Sequence, residues 1–197
     1  GAVGNMISNR KRLEYLSAVS DMGLELYGTR NLAELVGFAP NVTACFNSNY
    51  SVNTRERLVN IYDRSKIGLN INHHQATTGL GYRVFDIMCS SAMLVSNFQE
   101  QSDLDLLFGE NHPIPIYKSG AELQEICRYY IDHENERVRI SDQCRRLIGD
   151  KHTFKTRAAD LVQIVDPDFE TSEQEGTYVF YGPDDLWKEA ALDTSKA

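Results

Sequence analysis

The chain has no apolar run approaching the roughly 20 residues that a membrane-spanning helix requires. No signal peptide is expected from the first segment, GAVGNMISNRKRLEYL, which is polar and periodic. Basic charge is scarce: 20 Lys and Arg stand against 28 Asp and Glu, for a net charge of −8. A nucleic-acid-binding face must offset phosphate charge, so no nucleic-acid partner is expected. The four cysteines, Cys45, Cys89, Cys127 and Cys144, include no pair at redox or metal-ligand spacing. They read as reduced core residues of a cytoplasmic protein. No G-x-G-x-x-G is present, which argues against a dinucleotide site. No G-x-S-x-G turn surrounds Ser90-Ser91, so that pair reads as a helix C-cap rather than a nucleophile.

What is present is ordinary globular composition, 42% hydrophobic and 24% charged over 197 residues. That length suits one good-sized domain with a small appendage. The acidity is uneven. From Asp166 onward nine acidic residues face only Lys188 and Lys196, which leaves the body close to neutral. The expected division is a domain over 1–165 and an acidic tail over 166–197. The tail's apolar cluster, Tyr178 to Tyr181, and its Trp187 suit a surface facing another domain or a second copy, as in a homodimer.

Along the body, apolar strands alternate with amphipathic helices. Ala2 to Asn5 reads as the end of a strand, and Ser8 or Asn9 can cap a helix running to about Met22, stopped by Gly23. Further strands are expected at 24–27, 42–46, 67–71, 92–96 and 114–117. A short helix is expected at 31–36. Asn53 and Glu56 form a capping-box pattern before a helix with Leu58, Ile61 and Tyr62 inward. Helices follow at 82–89 and 103–108. Ser119 and Glu122 form a second capping box, before Leu123, Ile126, Cys127, Tyr130 and Ile131 at helical period. A helix at 135–148 has Val138 and Leu147 as partial anchors. Thr153 opens a last helix with Leu161, Val162 and Val165 inward. Such alternation predicts an α/β fold, a parallel sheet with helices on both faces.

Parallel sheets bind ligands beyond the carboxyl ends of their strands. Three segments should lie there: 4–10, 47–53 and 72–81. The first leads into Arg10, Lys11 and Arg12, one of which can pair with phosphate, although for any single one of them a solvated basic face is the better reading. The third holds Thr77, Thr78, Gly79, Leu80 and Gly81 at a helix start, where hydroxyls and free amides suit an anion. Asp86 lies between Phe85 and Ile87 in a segment otherwise bound for the core. It can accept hydrogen bonds from the vicinal hydroxyls of a ribose. Arg83 can pair with Asp86 or with a ligand phosphate. His73 and His74 point to opposite sides of an extended chain and cannot chelate together, so no metal is expected.

The block IYDRSKIGLNINHHQATTGLGYRVFDIMCSSAMLVSNF resembles the C-terminal half of CgeB-like, spore-maturation-type glycosyltransferases. These belong to the group-1 set of enzymes with a GT-B fold. SGAELQEICRYYIDHENERVRIS and KHTFKTRA resemble the helices that close the domain, and AVGN to GLELYG its first unit. The resemblance implies a Rossmann-like domain that binds the nucleotide half of a sugar-nucleotide donor, with no further cofactor. Of the family's two donor-contacting glutamates, the second, on the ribose, falls on Asp86 and the first on Thr78. A phosphate-binding lysine falls on Arg10, an arginine after the first glycine, Gly4, on Asn5, and a Cys-Gly pair on Ser90-Ser91. The N-terminal acceptor-binding domain of such enzymes has no counterpart here. The implied protein is therefore the donor domain of a glycosyltransferase, inactive when isolated. The alternative is a non-catalytic glycosyltransferase-like binding or structural module.

Overall fold

The computed structural model describes residues 2–27, 39–45, 55–72, 78–149 and 151–165. Residues 1–157 and 158–197 form separate compact units. The elements of the first unit are α1 (Ala2–Ala18), α2 (Pro40–Thr43), α3 (Arg55–Asp63), β1 (Ile67–Asn70), α4 (Tyr82–Cys89) and β2 (Met93–Asn97). They continue with α5 (Asp103–Phe108), β3 (Ile116–Tyr117), α6 (Gly120–Asp132) and α7 (Glu134–Ile148). A last helix, α8 (Phe154–Val165), runs across the boundary between the units.

The strands form a three-stranded parallel sheet in the order β1-β2-β3. The central strand shows why this sequence prefers that arrangement. Met93, Leu94, Val95 and Ser96 are all buried, and neighbouring residues of a strand point to opposite faces, so both faces are covered. The helix α4 packs on β1, β2 and α7, while α6 packs on β3 and α1. Gly68 lets α4 approach closely, because a Cβ there would lie 2.6 Å from Ile87 Cγ2. The capping box opens α6 as the sequence requires. Ser119 Oγ accepts the Glu122 N–H at 3.2 Å, and Glu122 Oε2 accepts the Lys118 N–H at 2.7 Å. On α7, the buried Ser141 hydroxyl lies 3.2 Å from the Ser91 carbonyl and 3.3 Å from that of Ala92. It thereby ties α7 to the entry of β2.

The structure departs from the expected elements in several places. Residues 2–5 open α1 instead of ending a strand, and no loop runs from 4 to 10. A strand of four residues needs a ladder partner, whereas a helix satisfies its bonds internally. Among the described residues, the ladder bonding of Leu24 to Tyr27 is one hydrogen bond, from the Leu26 N–H to the Cys45 carbonyl at 2.8 Å. Val42 and Thr43 belong to α2 and not to a strand. Pro40 sets the first helical turn, and the Ala44 N–H closes it onto the Pro40 carbonyl at 3.1 Å. Among the cysteines, Cys127 and Cys144 are buried, but Cys45 is half-buried and Cys89 exposed. Val138 is 47% exposed and so anchors nothing, whereas Leu147 does pack on the core. On α8, Leu161 and Val165 are exposed. The expected helix at 31–36, the loop at 47–53, His73 to Thr77 and the tail beyond 165 lie outside the described residues.

Candidate functional site

Polar side chains replace apolar ones where β1 and β2 end. Asn70 is buried, and its Nδ2 donates to Ser96 Oγ and to Asn72 Oδ1, both at 2.9 Å. The Asn72 N–H donates to Asn97 Oδ1 at 2.7 Å, and the Tyr117 hydroxyl donates to the Asn70 carbonyl at 3.1 Å. These polar atoms satisfy one another, which makes their burial tolerable, except Asn72 Nδ2, which is buried with no hydrogen-bond partner among the described residues. The result is a stiff polar platform at the carboxyl edge of the sheet.

Arg12 reaches this edge from α1. Its Nη2 donates to the Ile71 carbonyl at 3.2 Å. Burial, and then the nearby Arg83 guanidinium, hold the Arg12 pKa below its ordinary value, while Tyr117 opposes them. Arg83 is thus close enough for its charge to act on Arg12. Arg83 also lies near the Tyr62 hydroxyl, whose pKa is raised by burial, with Arg83 opposing the rise and nearby Asp86 adding to it. Arg12, Arg83, Tyr62 and Asp86 are thus electrostatic neighbours carried by three helices.

The start of α4 lies within that group. Gly81 is its N-cap, in extended conformation, and offers no side-chain cap. Among the first-turn amides, Val84 N–H bonds back to the Gly81 carbonyl at 3.0 Å, and an uncapped first turn presents amides and a positive dipole end. A Cβ placed on Gly79 or Gly81 would meet nothing within 4 Å. Among the described residues, the space over this loop is open.

The other expected site residues are placed as follows. Leu80 follows Gly79 in the loop and packs partly against the core. Thr78 is exposed, and its carbonyl accepts the Asp103 N–H at 3.0 Å, tying the loop to α5. Arg10 is exposed on α1, two positions before Arg12. Gly4 and Asn5 lie in the first turns of α1. Asn70, Ser96 and Asn97 were not among the expected site residues. Their signal in the sequence is that GLN and LVSN turn polar while still in phase with buried positions. Among the described residues no group of three or more His, Cys, Asp or Glu side chains is arranged to hold a metal ion.

Beside the group lies a groove of about 400 Å³, walled by α3, by the outer face of α4 and by the segment from Ile148 to Arg157. Tyr62, Tyr82, Phe85 and Phe154 give it an aromatic lining, and Asp63 and Asp86 face into it. The Phe108 and His152 rings meet edge to face at 5.0 Å behind Phe85, and Arg157 Nη2 donates to His152 Nδ1 at 2.7 Å.

A family model described as glycosyl transferase-like matches residues 11–163. The chain belongs to that family. Searches of curated proteins and of solved structures return no match. The sheet flanked by helices agrees with a Rossmann-like domain of a glycosyl transferase-like protein. The matched span takes in Arg12, the platform, the α4 start and the whole groove wall. Among the described residues, no helix is long and apolar enough to cross a membrane.

Proposed function

We propose that this domain holds the nucleoside-diphosphate half of a nucleotide-sugar donor, as the donor domain of a CgeB-like enzyme with a GT-B fold. The observation that carries the reading is the uncapped start of α4 at Gly81, with Arg83 in its first turn and Arg12 donating to the Ile71 carbonyl at the end of β1. Two like charges held together, one of them partly desolvated, favour an anion between them. A pyrophosphate supplies that anion, and the helix amides add donors without a metal. Asp86, one turn further along α4, stands where a ribose attached to that pyrophosphate can offer its hydroxyls. Arg12 takes the phosphate role that the resemblance assigns to Arg10, with Gly79, Leu80 and Gly81 giving backbone access. The acceptor site and the catalytic base belong to a partner domain, so the domain alone binds donor and transfers no sugar.

A second reading is a non-catalytic module on the same scaffold. Thr78, where the resemblance expects a glutamate, favours it, because the sugar then loses an acidic contact. Calorimetric titration with uridine and guanosine diphosphates decides whether a nucleotide site exists. Binding that weakens about tenfold or more in Arg12→Ala, and less in Asp86→Asn, is the expected result. Millimolar nucleotide giving no heat, or heat indifferent to both substitutions, would favour the non-catalytic module.

A further inference from the structure

We infer that the exposed apolar face of α8 is a docking surface for the chain's own C-terminal tail. The part of the tail that seats on it is the uncharged run around Tyr178 to Tyr181, with Trp187 beside it.

The second half of α8 carries more apolar surface than its described surroundings cover. Leu161, Ile164 and Val165 stand three and four positions apart and so share one helix face. They are exposed at 62%, 77% and 78%. Adjacent aliphatic side chains left in water favour any apolar cover within reach. Residues 158–197 form a compact unit of their own. The second half of α8 therefore groups with the tail that follows it and not with the sheet domain.

The tail's sequence supplies a matching segment. Its nine acidic residues fall within 166–175 and 184–193, on both sides of a stretch, 176–183, that has no charge. That stretch, GTYVFYGP, holds three aromatic rings and a valine. Aromatic rings laid on aliphatic side chains bury a large apolar area. Reach is no obstacle. Twelve residues, 166–177, join Val165 to Tyr178, and an extended chain covers about 3.3 Å per residue. Leu161 lies only about 6 Å back from Val165 along the helix axis. A second copy of the chain is a poorer cover. Three aliphatic side chains fall far short of the roughly 1,200 Å² that a stable interface between separate chains buries, and two acidic tails repel each other. A segment of the same chain needs less area, because its linker holds it at high effective concentration.

Trp187 is the chain's only tryptophan, so tryptophan fluorescence reports on the tail alone. Emission and acrylamide quenching are measured on the full chain, on Leu161→Gln, on Ile164→Gln combined with Val165→Gln, and on Phe180→Gln. Glutamine has a helix propensity at least close to those of the α8 residues it replaces. Those three positions are exposed and lie outside the unit that holds the sheet, so the substitutions leave its core intact. In the wild type, Trp187 should emit at shorter wavelength and be quenched less than in urea. Each variant should move both readings toward their urea values. The wild-type readings should stay constant over a roughly hundredfold range of protein concentration. Urea-like emission from the folded wild type would overturn the docking. A shielded Trp187 indifferent to the α8 substitutions, or to Phe180→Gln, would place the contact elsewhere and overturn it too. Shielding that fades on dilution would assign the face to a second copy and refute the intramolecular contact.

Discussion

Arg12 carries a cost in the absence of ligand. It is partly buried, donates to one backbone carbonyl and sits near a second guanidinium. Removing its charge while keeping its stem should relieve that repulsion. Arg12→Met is therefore expected to melt at the wild-type temperature or slightly above it. Pyrophosphate at about ten times its Kd should stabilise the wild type by about 1.4 kcal/mol and leave the variant unmoved. Thermal melts with and without pyrophosphate check this, and equal stabilisation of both proteins would contradict the anion site. The buried thiols make a second residue-level prediction. Burial pushes Cys127 up to about 11 and Cys144 up to about 12 from an ordinary 9.0. A thiol kept protonated by the fold gives stability that is complete below the unfolded value and lost as pH rises through the folded one. Stability should fall from about pH 9 toward 11, by about 1.4 kcal/mol per thiol per pH unit at most. Urea titrations at pH 8 and pH 10 measure the fall, and Cys127→Ala should show a shallower one.

Between elements, the contact that aims the site is β1 against α4. Gly68 has no side chain, and Ile87 occupies the space with no exposure of its own. That approach fixes the height of α4 over the sheet, and with it the positions of Gly81, Arg83 and Asp86. Gly68→Ala would place a methyl group 2.6 Å from Ile87 Cγ2. The strain should cost about 1–3 kcal/mol, and tilting α4 should weaken nucleotide binding as well. The double variant with Ile87→Val should recover part of the stability. A Gly68→Ala protein as stable as wild type in urea would show that α4 has freedom the packing does not suggest. Gly81 offers the contrast. A Cβ there meets nothing within 4 Å, so any effect of Gly81→Ala on binding must come from the ligand and not from the fold.

At the level of the whole molecule, residues 1–157 contain the sheet and the hydrophobic core that surrounds it. A chain ending at residue 165 is expected to unfold in one cooperative step at the same urea midpoint as the full chain. A broadened transition would show that the tail is integral to folding. Much of the architecture around the site was legible in advance. The strands at 67–71 and 92–96, the helices at 82–89 and 103–108, and the capping box at Ser119 and Glu122 are local signals, set by apolar periodicity and cap chemistry within a few residues. The parallel pairing also followed, because each strand is separated from the next by a helix. Other outcomes depended on what packs where. Leu161 and Val165 have a helical apolar spacing but stay exposed, at 62% and 78%, since periodicity specifies a face and not its partner. Val42 and Thr43 favour strand by type, yet Pro40 and the turn it starts hold them helical. Which of Arg10, Lys11 and Arg12 reaches β1 could not be read from a run of like charges, because it is set by the rotation of α1 against α6 and the sheet. The sequence by itself determined the elements, their order and the candidate loop at Gly79 to Gly81, since these depend on neighbours in the chain. Only the tertiary structure decided that Arg12 reaches the Ile71 carbonyl and that Asp86 faces an aromatic groove, since those encounters join residues far apart in sequence through packing.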